Sequence, residues 1–401
     1  MTRWLSIVGI GEDGLDGLSA EARALVDGAQ VLVGGARHLA MVPDDGRERL
    51  TWRLPLTDFV ADVKARKRKR VCVLATGDPM MFGIGVTLAR HVPRDQITIL
   101  PGLSAFCLAC AHLGWPGAEV ATITLHGRPL ELLHGYLQPG ARLLILSENG
   151  RTPAQVAGLL RKRGFGPSRL CVMEHLGGER ERIMDGTAAK WRARKIADLN
   201  TIAVECVAEA GAAHLPRAPG LPDDAFVHDG LITKREVRAA TLAALGPVPG
   251  QRLWDVGAGC GSIAIEWMRA APGATAIAIE RTPKRIQFIE TNALSLGAPY
   301  LKIITGEAPK ALRALEAPDA VFIGGGASHK GLFEACWKAL RPGGRLVANV
   351  VTLEGEAAVT AWRARVGGDL TRIAVSRVAP LGKLTAWRPL TPVTQFAALK
   401  Q

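Results

Sequence analysis

Two hydrophobic rhythms alternate along the chain. Short apolar runs at 4–10, 30–34, 71–75, 97–100, 142–147, 169–174 and 201–206 are bounded by turn residues and read as strands. Segments with helical spacing lie between them. Ser19 to Gly28 has Ser19 placed as its cap, and Thr152 to Arg163 carries Pro153 at its first position. This alternation over 1–210 predicts an α/β domain. The stretch GAAHLPRAPGLPDDAF, 211–226, is broken by prolines and has no periodicity, so it reads as a linker.

From 227 the pattern restarts and runs to 401. Its spacing predicts a helix over 234–245, a strand over 251–256 and a helix over 261–270. Strand 275–280, helix 283–296, strand 300–304, strand 319–323 and a helix after Ser328 follow. Strand 345–350, helix 355–366 and two late strands near 370–378 and 384–389 complete the series. The order is that of a doubly wound α/β sheet ending in an antiparallel pair.

Size and composition fit this division: 401 residues suit two domains, and 48% hydrophobic with 22% charged residues is the balance of a globular protein. No apolar run reaches the roughly 18–20 residues of a membrane span, and Glu12 and Asp13 interrupt any signal peptide at once. A cytoplasmic protein is expected. The seven cysteines are scattered, and Cys107-Leu-Ala-Cys110 has no partner pair or histidine at ligand spacing, so core packing is expected and no metal. The formal charge of +13 is shared, with 27 Lys/Arg against 22 Asp/Glu in 1–210 and 23 against 15 beyond. Nucleic acid and a small polyanion both answer that charge. The densest run, KARKRKR at 64–70, reads as the last turn of a helix, where the helix dipole favours cations.

Two glycine clusters decide the chemistry. Gly257, Gly259 and Gly261 close the strand RLWDV and open the helix SIAIEWMRA, leaving backbone N–H groups free for a ligand. Ser262 stands where a dinucleotide fingerprint needs its third glycine, and the next strand ends in Glu280. With Asp255, GEAPKAL (306–312) and LRPGGRLVAN (340–349), the region resembles the class I S-adenosylmethionine-dependent methyltransferases. That resemblance implies that Gly257, Ala258, Gly259, Cys260 and Gly261 hold the methionine part of the cofactor. It also implies that Glu280 binds its ribose, and that Glu307 and Ala308 lie beside adenine. The fourth strand leads into DAVFIGGGAS, 319–328, without the N-P-P-Y type motif of base methylases.

Gly9, Gly11 and Gly14 also spell G-x-G-x-x-G, but the helix begins only near Ser19 and the next strand ends in glycines, so nicotinamide or flavin binding is not expected. VLATGDPMMFGIG (73–85) and ILPGLSAFCLACAHLGWP (99–116) are strand–loop–helix units. With V-G-I-G they resemble the tetrapyrrole methylases, the class III methyltransferases. This implies S-adenosylmethionine in a cleft between two α/β subdomains, contacted by Gly9, Gly11, Gly77, Asp78, Pro79, Gly83, Ser104 and Ala105. By residue chemistry alone, Asp78 is also a turn residue. Glu12 departs from the family, in which many members carry proline.

DGLITKREVRAATLAAL, 229–245, is similar to the lead-in of decarboxylating C15-methylases, which implies that Thr233 touches the cofactor. The whole chain thus resembles corrin-forming methyltransferases that fuse both folds. The implied reaction is methylation at C5 by the first domain, and at C15 with loss of the ring C acetate carboxyl by the second. A polycarboxylate corrinoid precursor answers the basic charge in both halves. Neither membrane nor nucleic acid is expected as partner, and relatives imply a homo-oligomer. His126 and Arg128 either face the substrate cleft or cap a strand. Lys234, Glu236 and His329 stand beside the cofactor motifs, either as proton donors for decarboxylation or as surface groups, and no catalytic residue is assigned. An RNA methyltransferase and a non-catalytic S-adenosylmethionine-binding protein are the alternatives. The missing base-gripping motif and scarce stacking aromatics weigh against the first, two full motif sets against the second.

Overall fold

The computed structural model describes residues 3–192, 195–213 and 215–401. The chain divides into two compact units, Met1–Arg128 with Pro139–Ala213, and Pro129–Gln138 with His214–Gln401. His214, in the expected linker, and residues 1, 2, 193 and 194 of the expected first domain lie outside the described residues.

The first unit holds two five-stranded sheets. One is built from β1 (Leu5–Ile10), β2 (Val31–Gly34), β3 (Glu48–Thr51), β4 (Val71–Thr76) and β5 (Ile97–Leu100), all parallel, in the order β3-β2-β4-β1-β5. Its central strands are apolar on both faces because helices cover both, as parallel sheets require. Ser19 caps the helix Ala20–Asp27 as expected, accepting from the Ala22 amide at 3.2 Å. The second sheet joins β6 (Val120–Thr124), β7 (Arg142–Leu146), β8 (Arg169–Glu174), β9 (Arg182–Thr187) and β10 (Asn200–Glu205) in the order β6-β7-β10-β8-β9. Only β6 and β7 run parallel there.

Two expectations are corrected. The helix before the basic run ends at Ala65, so of KARKRKR only Lys64 sits in the last helical turn. Arg66 and Lys69 instead reach Glu48 on β3, at 2.5 and 2.8 Å, because that acidic edge strand offers a nearer counter-charge than the helix end. Cys107 is exposed rather than packed in a core. It follows the cap of helix Ala105–Leu113, where the Ser104 hydroxyl accepts from its amide at 3.1 Å, while Cys110 is half-buried.

The second unit is one seven-stranded sheet. Its strands are β11 (Arg252–Val256), β12 (Thr275–Glu280), β13 (Lys302–Thr305), β14 (Ala320–Ile323), β15 (Arg345–Val350), β16 (Asp369–Ile373) and β19 (Val393–Leu399), in the order β13-β12-β11-β14-β15-β19-β16. β17 (Ser376–Leu381) and β18 (Leu384–Pro389) form a separate hairpin. The first five strands are parallel, and β19 lies antiparallel between β15 and β16. Successive strands add to one side of β11 and then to the other, so a crevice opens at the carboxyl ends of β11 and β14. Helices cover both faces. Leu242, Ile263, Trp267 and Ile289 fill one core; Phe333, Cys336, Trp362 and Phe396 fill the other, with Phe333 stacked on Trp362 at 5.2 Å.

Residues 129–138 belong to this unit although they lie far upstream in sequence. Gln138 Nε2 donates to the Leu215 carbonyl at 3.0 Å, and the Arg217 guanidinium lies 5.6 Å from the Tyr136 ring centre. Gly297 meets this segment so closely that a Cβ there would sit 2.9 Å from the Gly135 amide nitrogen.

Candidate functional site

In the first unit, three loops meet at the carboxyl edge of the parallel sheet. A Cβ on Gly9 would overlap the Gly77 carbonyl oxygen and the Gly102 amide nitrogen, which are themselves hydrogen-bonded at 3.0 Å. Gly77 has φ +55°, and its amide donates to the Ile10 carbonyl at 3.0 Å. These glycines therefore lock backbone to backbone. Gly11 packs on the Asp13 carboxylate, and the Pro79 carbonyl fills the space beside Gly83 and Gly85.

The lock supports a cavity of about 620 Å³. Its walls come from both sheets of the unit: Asp78, Gly83, Ser104 and Ala105 from the loops of the first, Thr124, Ser147 and Asn200 from the second. His126 and Arg128 also line it, whereas Gly9, Gly11, Gly77 and Pro79 do not. Asp78 Oδ1 accepts from the Met80 amide at 2.8 Å, shaping the loop whose side chains border the cavity. Arg128 spreads over the Phe82 ring at 5.4 Å, and Phe82 holds a left-handed φ of +60°. His126 is exposed, with Nδ1 3.4 Å from Glu148.

Sequence reasoning missed His38, which lines the same cavity. Its ring Nε2 lies 2.9 Å from the Thr76 hydroxyl. Burial, then the charge of Arg37, pushes its pKa down to about 4, so it is neutral across the physiological range. Glu12, the departure from proline, is an anchor: it pairs with Arg37 and accepts from His175 Nδ1 at 2.7 Å.

In the second unit the glycine loop is stapled to β12. Gly257 and Ala258 donate to the Ile279 carbonyl at 2.9 and 3.1 Å, and the Gly259 amide donates to Glu280 Oε2 at 2.9 Å. Gly257, Gly259 and Gly261 have φ of +75°, +61° and +80°, conformations that only glycine adopts cheaply. Glu280 is buried, and its other oxygen accepts from the amides of Arg281 and Thr282 at 2.9 and 3.0 Å. Three backbone donors leave this carboxylate one acceptor position. Asp255, beneath the loop, accepts only from the Ala264 amide at 3.0 Å. Burial, with the neighbouring charge of Glu280 adding to it, pushes the Asp255 carboxyl up to about 7, and its Oδ1 has no hydrogen-bond partner.

Above the loop lies a cavity of about 510 Å³ lined by Thr233, Gly257, Ala258, Gly259 and Cys260, and by Lys234 and Asn349. Gly261, Glu280, Glu307 and Ala308 are not in its lining. Glu307 pairs with Arg281 at 2.8 Å and lies 3.9 Å from His329 Nδ1; Glu236 pairs with Arg377 at 2.6 Å. Arg238, which pattern reading placed only on a helix, is fully buried. It donates to Glu266 at 2.6 Å, to Asp223 at 3.1 Å, to the Thr233 carbonyl at 2.5 Å and to the Leu221 carbonyl. It thereby fixes the lead-in segment against the cavity. Its position in TKREVR, one charge inside a helical apolar stripe, was the available signal.

Both cavities border the N-terminal end of a helix, where backbone N–H groups are free to donate. The second offers a glycine-rich loop, with Ala258 and Cys260 its only side chains, and the start of helix Ser262–Ala270. The first offers a cleft floored by the capped start of helix Ala105–Leu113. Among the described residues no group of three or more His, Cys, Asp or Glu is arranged to hold a metal ion.

Comparison with known proteins agrees with this two-part arrangement. The family profile described as tetrapyrrole (corrin/porphyrin) methylases matches residues 5–191, and that described as a precorrin methyltransferase domain matches 224–400. The precorrin-6Y C(5,15)-methyltransferase [decarboxylating] of a Sinorhizobium species is 48% identical over 398 residues, covering 99% of this chain and 96% of the relative. Two Salmonella typhimurium proteins match shorter stretches. A cobalt-precorrin-7 C(5)-methyltransferase is 33% identical over 45% of this chain and 88% of its own length. A cobalt-precorrin-6B C(15)-methyltransferase (decarboxylating) is 33% identical over 42% and 90%. An identity that runs nearly end to end through both units settles the relationship: the chain belongs to the decarboxylating precorrin-6Y C5,15-methyltransferases.

Proposed function

We propose that the chain methylates precorrin-6Y at C5 and C15 and removes the carboxyl of the ring C acetate, giving precorrin-8X on the route to cobalamin. The observation that carries this reading is the end-to-end likeness to the Sinorhizobium enzyme. The Salmonella relatives support a division of labour, since each covers under half of this chain and is named for one of the two methylations. In this reading residues 1–210 perform the C5 methylation and 227–401 the C15 methylation with decarboxylation, each with its own cofactor site and no metal.

S-adenosylmethionine supplies an electrophilic methyl group when bound. The protein's part is positioning, because the meso carbons of the substrate are already enamine-like nucleophiles. Asp78, Gly83, Ser104 and Ala105 would hold the cofactor in the first cavity, with His126 and Arg128 toward the substrate. Thr233 and the Gly257–Cys260 stretch would hold it in the second. There Glu280 acts by keeping the Gly259 amide in place.

Mass spectrometry of the full chain with precorrin-6Y and S-adenosylmethionine is the test. The expected product carries two added methyl groups and has lost one carbon dioxide. Ala105→Trp, which fills the first cavity, should cost one methyl alone. Ala258→Trp, in the second, should cost the other methyl and the decarboxylation together. A chain that leaves the tetrapyrrole untouched but methylates RNA would sink the reading.

The same reading includes a homo-oligomer in the cytoplasm, with neither nucleic acid nor membrane as partner. On the β17–β18 hairpin, Val378 pairs with Trp387 on one face and Leu381 with Leu384 on the other; all four are 58–75% exposed, apolar surface suited to burial against another copy. Light scattering should return a mass above one chain; a monomer at micromolar concentration would refute self-association. The free cysteines fit a reducing compartment, and no described helix is long and apolar enough to cross a membrane.

A further inference from the structure

Around the glycine loop the second cavity is polar, but much of its remaining lining is hydrocarbon: Phe322, Val351, Ile373, Val375, Leu390 and Val393. Thr391 apart, Asn349 is the exception. It lies near the carboxyl end of β15, two strands from β11 and so about 10 Å across the sheet from the start of the glycine loop.

Three neighbours determine how this amide faces. Thr241 is fully buried and Gln395 nearly so. The Thr241 hydroxyl gives its one proton to the Val237 carbonyl at 2.7 Å, so toward its other neighbours it only accepts. It accepts from Asn349 Nδ2 at 2.8 Å and from Gln395 Nε2 at 3.1 Å. Gln395 Nε2 also donates to Asn349 Oδ1 at 3.0 Å, across a register pair of β15 and β19. Flipping the Asn349 amide would set NH₂ against NH₂ and oxygen against an oxygen with no proton to offer. The orientation is therefore locked, leaving Asn349 one uncommitted N–H and one oxygen lone pair at the cavity wall.

We propose that Asn349 is a substrate-binding residue of the C15 site, holding a carboxylate of the corrinoid through that N–H, with Thr241 and Gln395 as positioning residues. This rests on the reading of the second cavity given above. The charged donors lining the cavity are partly committed: Arg285 pairs with Asp229 at 2.9 Å, and Lys234 donates to the Gly230 carbonyl at 3.3 Å. A neutral amide among aliphatic walls orients a carboxylate without neutralising it. That suits a group that must leave uncharged. The bond from the acetate methylene to its carboxyl breaks, the electron pair stays on the carbon side and is taken up by the conjugated macrocycle. Carbon dioxide departs, and a proton from solvent replaces it.

Asn349→Asp in the full chain is the decisive variant. Its oxygens still accept from Gln395, so that contact survives while the donor is lost and a like charge meets the substrate. The expected result is a fall of about 100-fold in kcat/KM for C15 methylation with decarboxylation, mostly through KM. S-adenosylmethionine affinity by calorimetry and C5 methylation should stay within twofold. Gln395→Leu, which frees the amide to turn, should cost about 10-fold with the same split. Should the Asp variant fail to fold, Asn349→Ser should show a fall of about 10-fold in the same parameter. The assignment is overturned if kcat/KM for the C15 step in either Asn349 variant stays within threefold of the parent, or if cofactor affinity falls in step with it. Absence of any corrinoid product from the parent chain would instead sink the functional reading, and this assignment with it.

Discussion

Gly9→Ala should unfold the first unit. The added methyl would overlap the Gly77 carbonyl and the Gly102 amide, and neither is a side chain that can swing aside. Both belong to backbones bonded to each other, and Gly9 itself is paired in register with Ala75 on β4. Relief therefore requires parting the central strands of the sheet, at a cost of about 4 kcal/mol or more, a large share of the stability of an ordinary domain. Urea unfolding followed by circular dichroism should show the first unit's transition lost or moved far toward zero denaturant. C5 methylation should vanish while C15 methylation continues. Gly46→Ala is the control. Gly46, unlike Gly9, has a positive φ, +80°, but nothing lies within 4 Å of the new methyl, so only the roughly 1–2 kcal/mol backbone penalty is expected. A Gly9→Ala chain as stable as the Gly46→Ala chain would refute the interlock.

The second large effect is expected at Arg238. Truncation to Ala leaves Glu266, 1% exposed, without its cation, although the amides of Gly220 and Leu221 still donate to it at 2.6 and 3.0 Å. Breaking a buried pair from one side costs about 3–5 kcal/mol. Arg238 also ties down the Thr233 carbonyl, so the 230–234 stretch bordering the second cavity is released as well. Cofactor affinity at that site should fall by at least tenfold in calorimetry of the still-folded fraction, alongside the lowered unfolding midpoint. Adding Glu266→Gln to the Arg238→Ala chain removes the stranded charge and should recover part of the stability but not the affinity. Equal recovery of both would show that Arg238 serves stability alone.

How much of this was legible in sequence follows from what each element buries. Strands covered on both faces, such as VCVLA in β4 and TAIAIE in β12, are continuous apolar runs and stand out. Edge strands do not. β3 reads ERLT and β9 reads RIMDGT, each with one neighbour and little burial, so no hydrophobic signal marks them. β19 was missed for another reason: VTQFAAL mixes Thr394 and Gln395 into a buried strand, and those polar residues pay their way through hydrogen bonds to other strands and helices that no local pattern reveals.

The candidate sites were legible as loops rather than as contacts. Glycine spacing located both turns, yet Gly9 and Gly77 in the first unit are spent on fitting backbones together, and Glu280 in the second on holding the Gly259 amide. A motif records that a position tolerates only one residue; whether a ligand or a neighbouring loop imposes that limit depends on the fold. Arg238 and Asn349 were harder to read for the complementary reason. Their partners lie up to 28 and 108 residues away in sequence, so beyond the apolar stripe that holds Arg238 nothing nearby distinguishes them from an ordinary surface charge and an ordinary strand-end amide.

The detour of residues 129–138 has a consequence for the gene. Because this segment packs with the second unit while 139–213 returns to the first, no single cut in the coding sequence yields both units whole. A break before 129 strips the first product of four strands of its second sheet, and a break near 214 strips the second product of the turns that meet Gly297. During synthesis the ribosome delivers a piece of the later unit before the earlier one is complete.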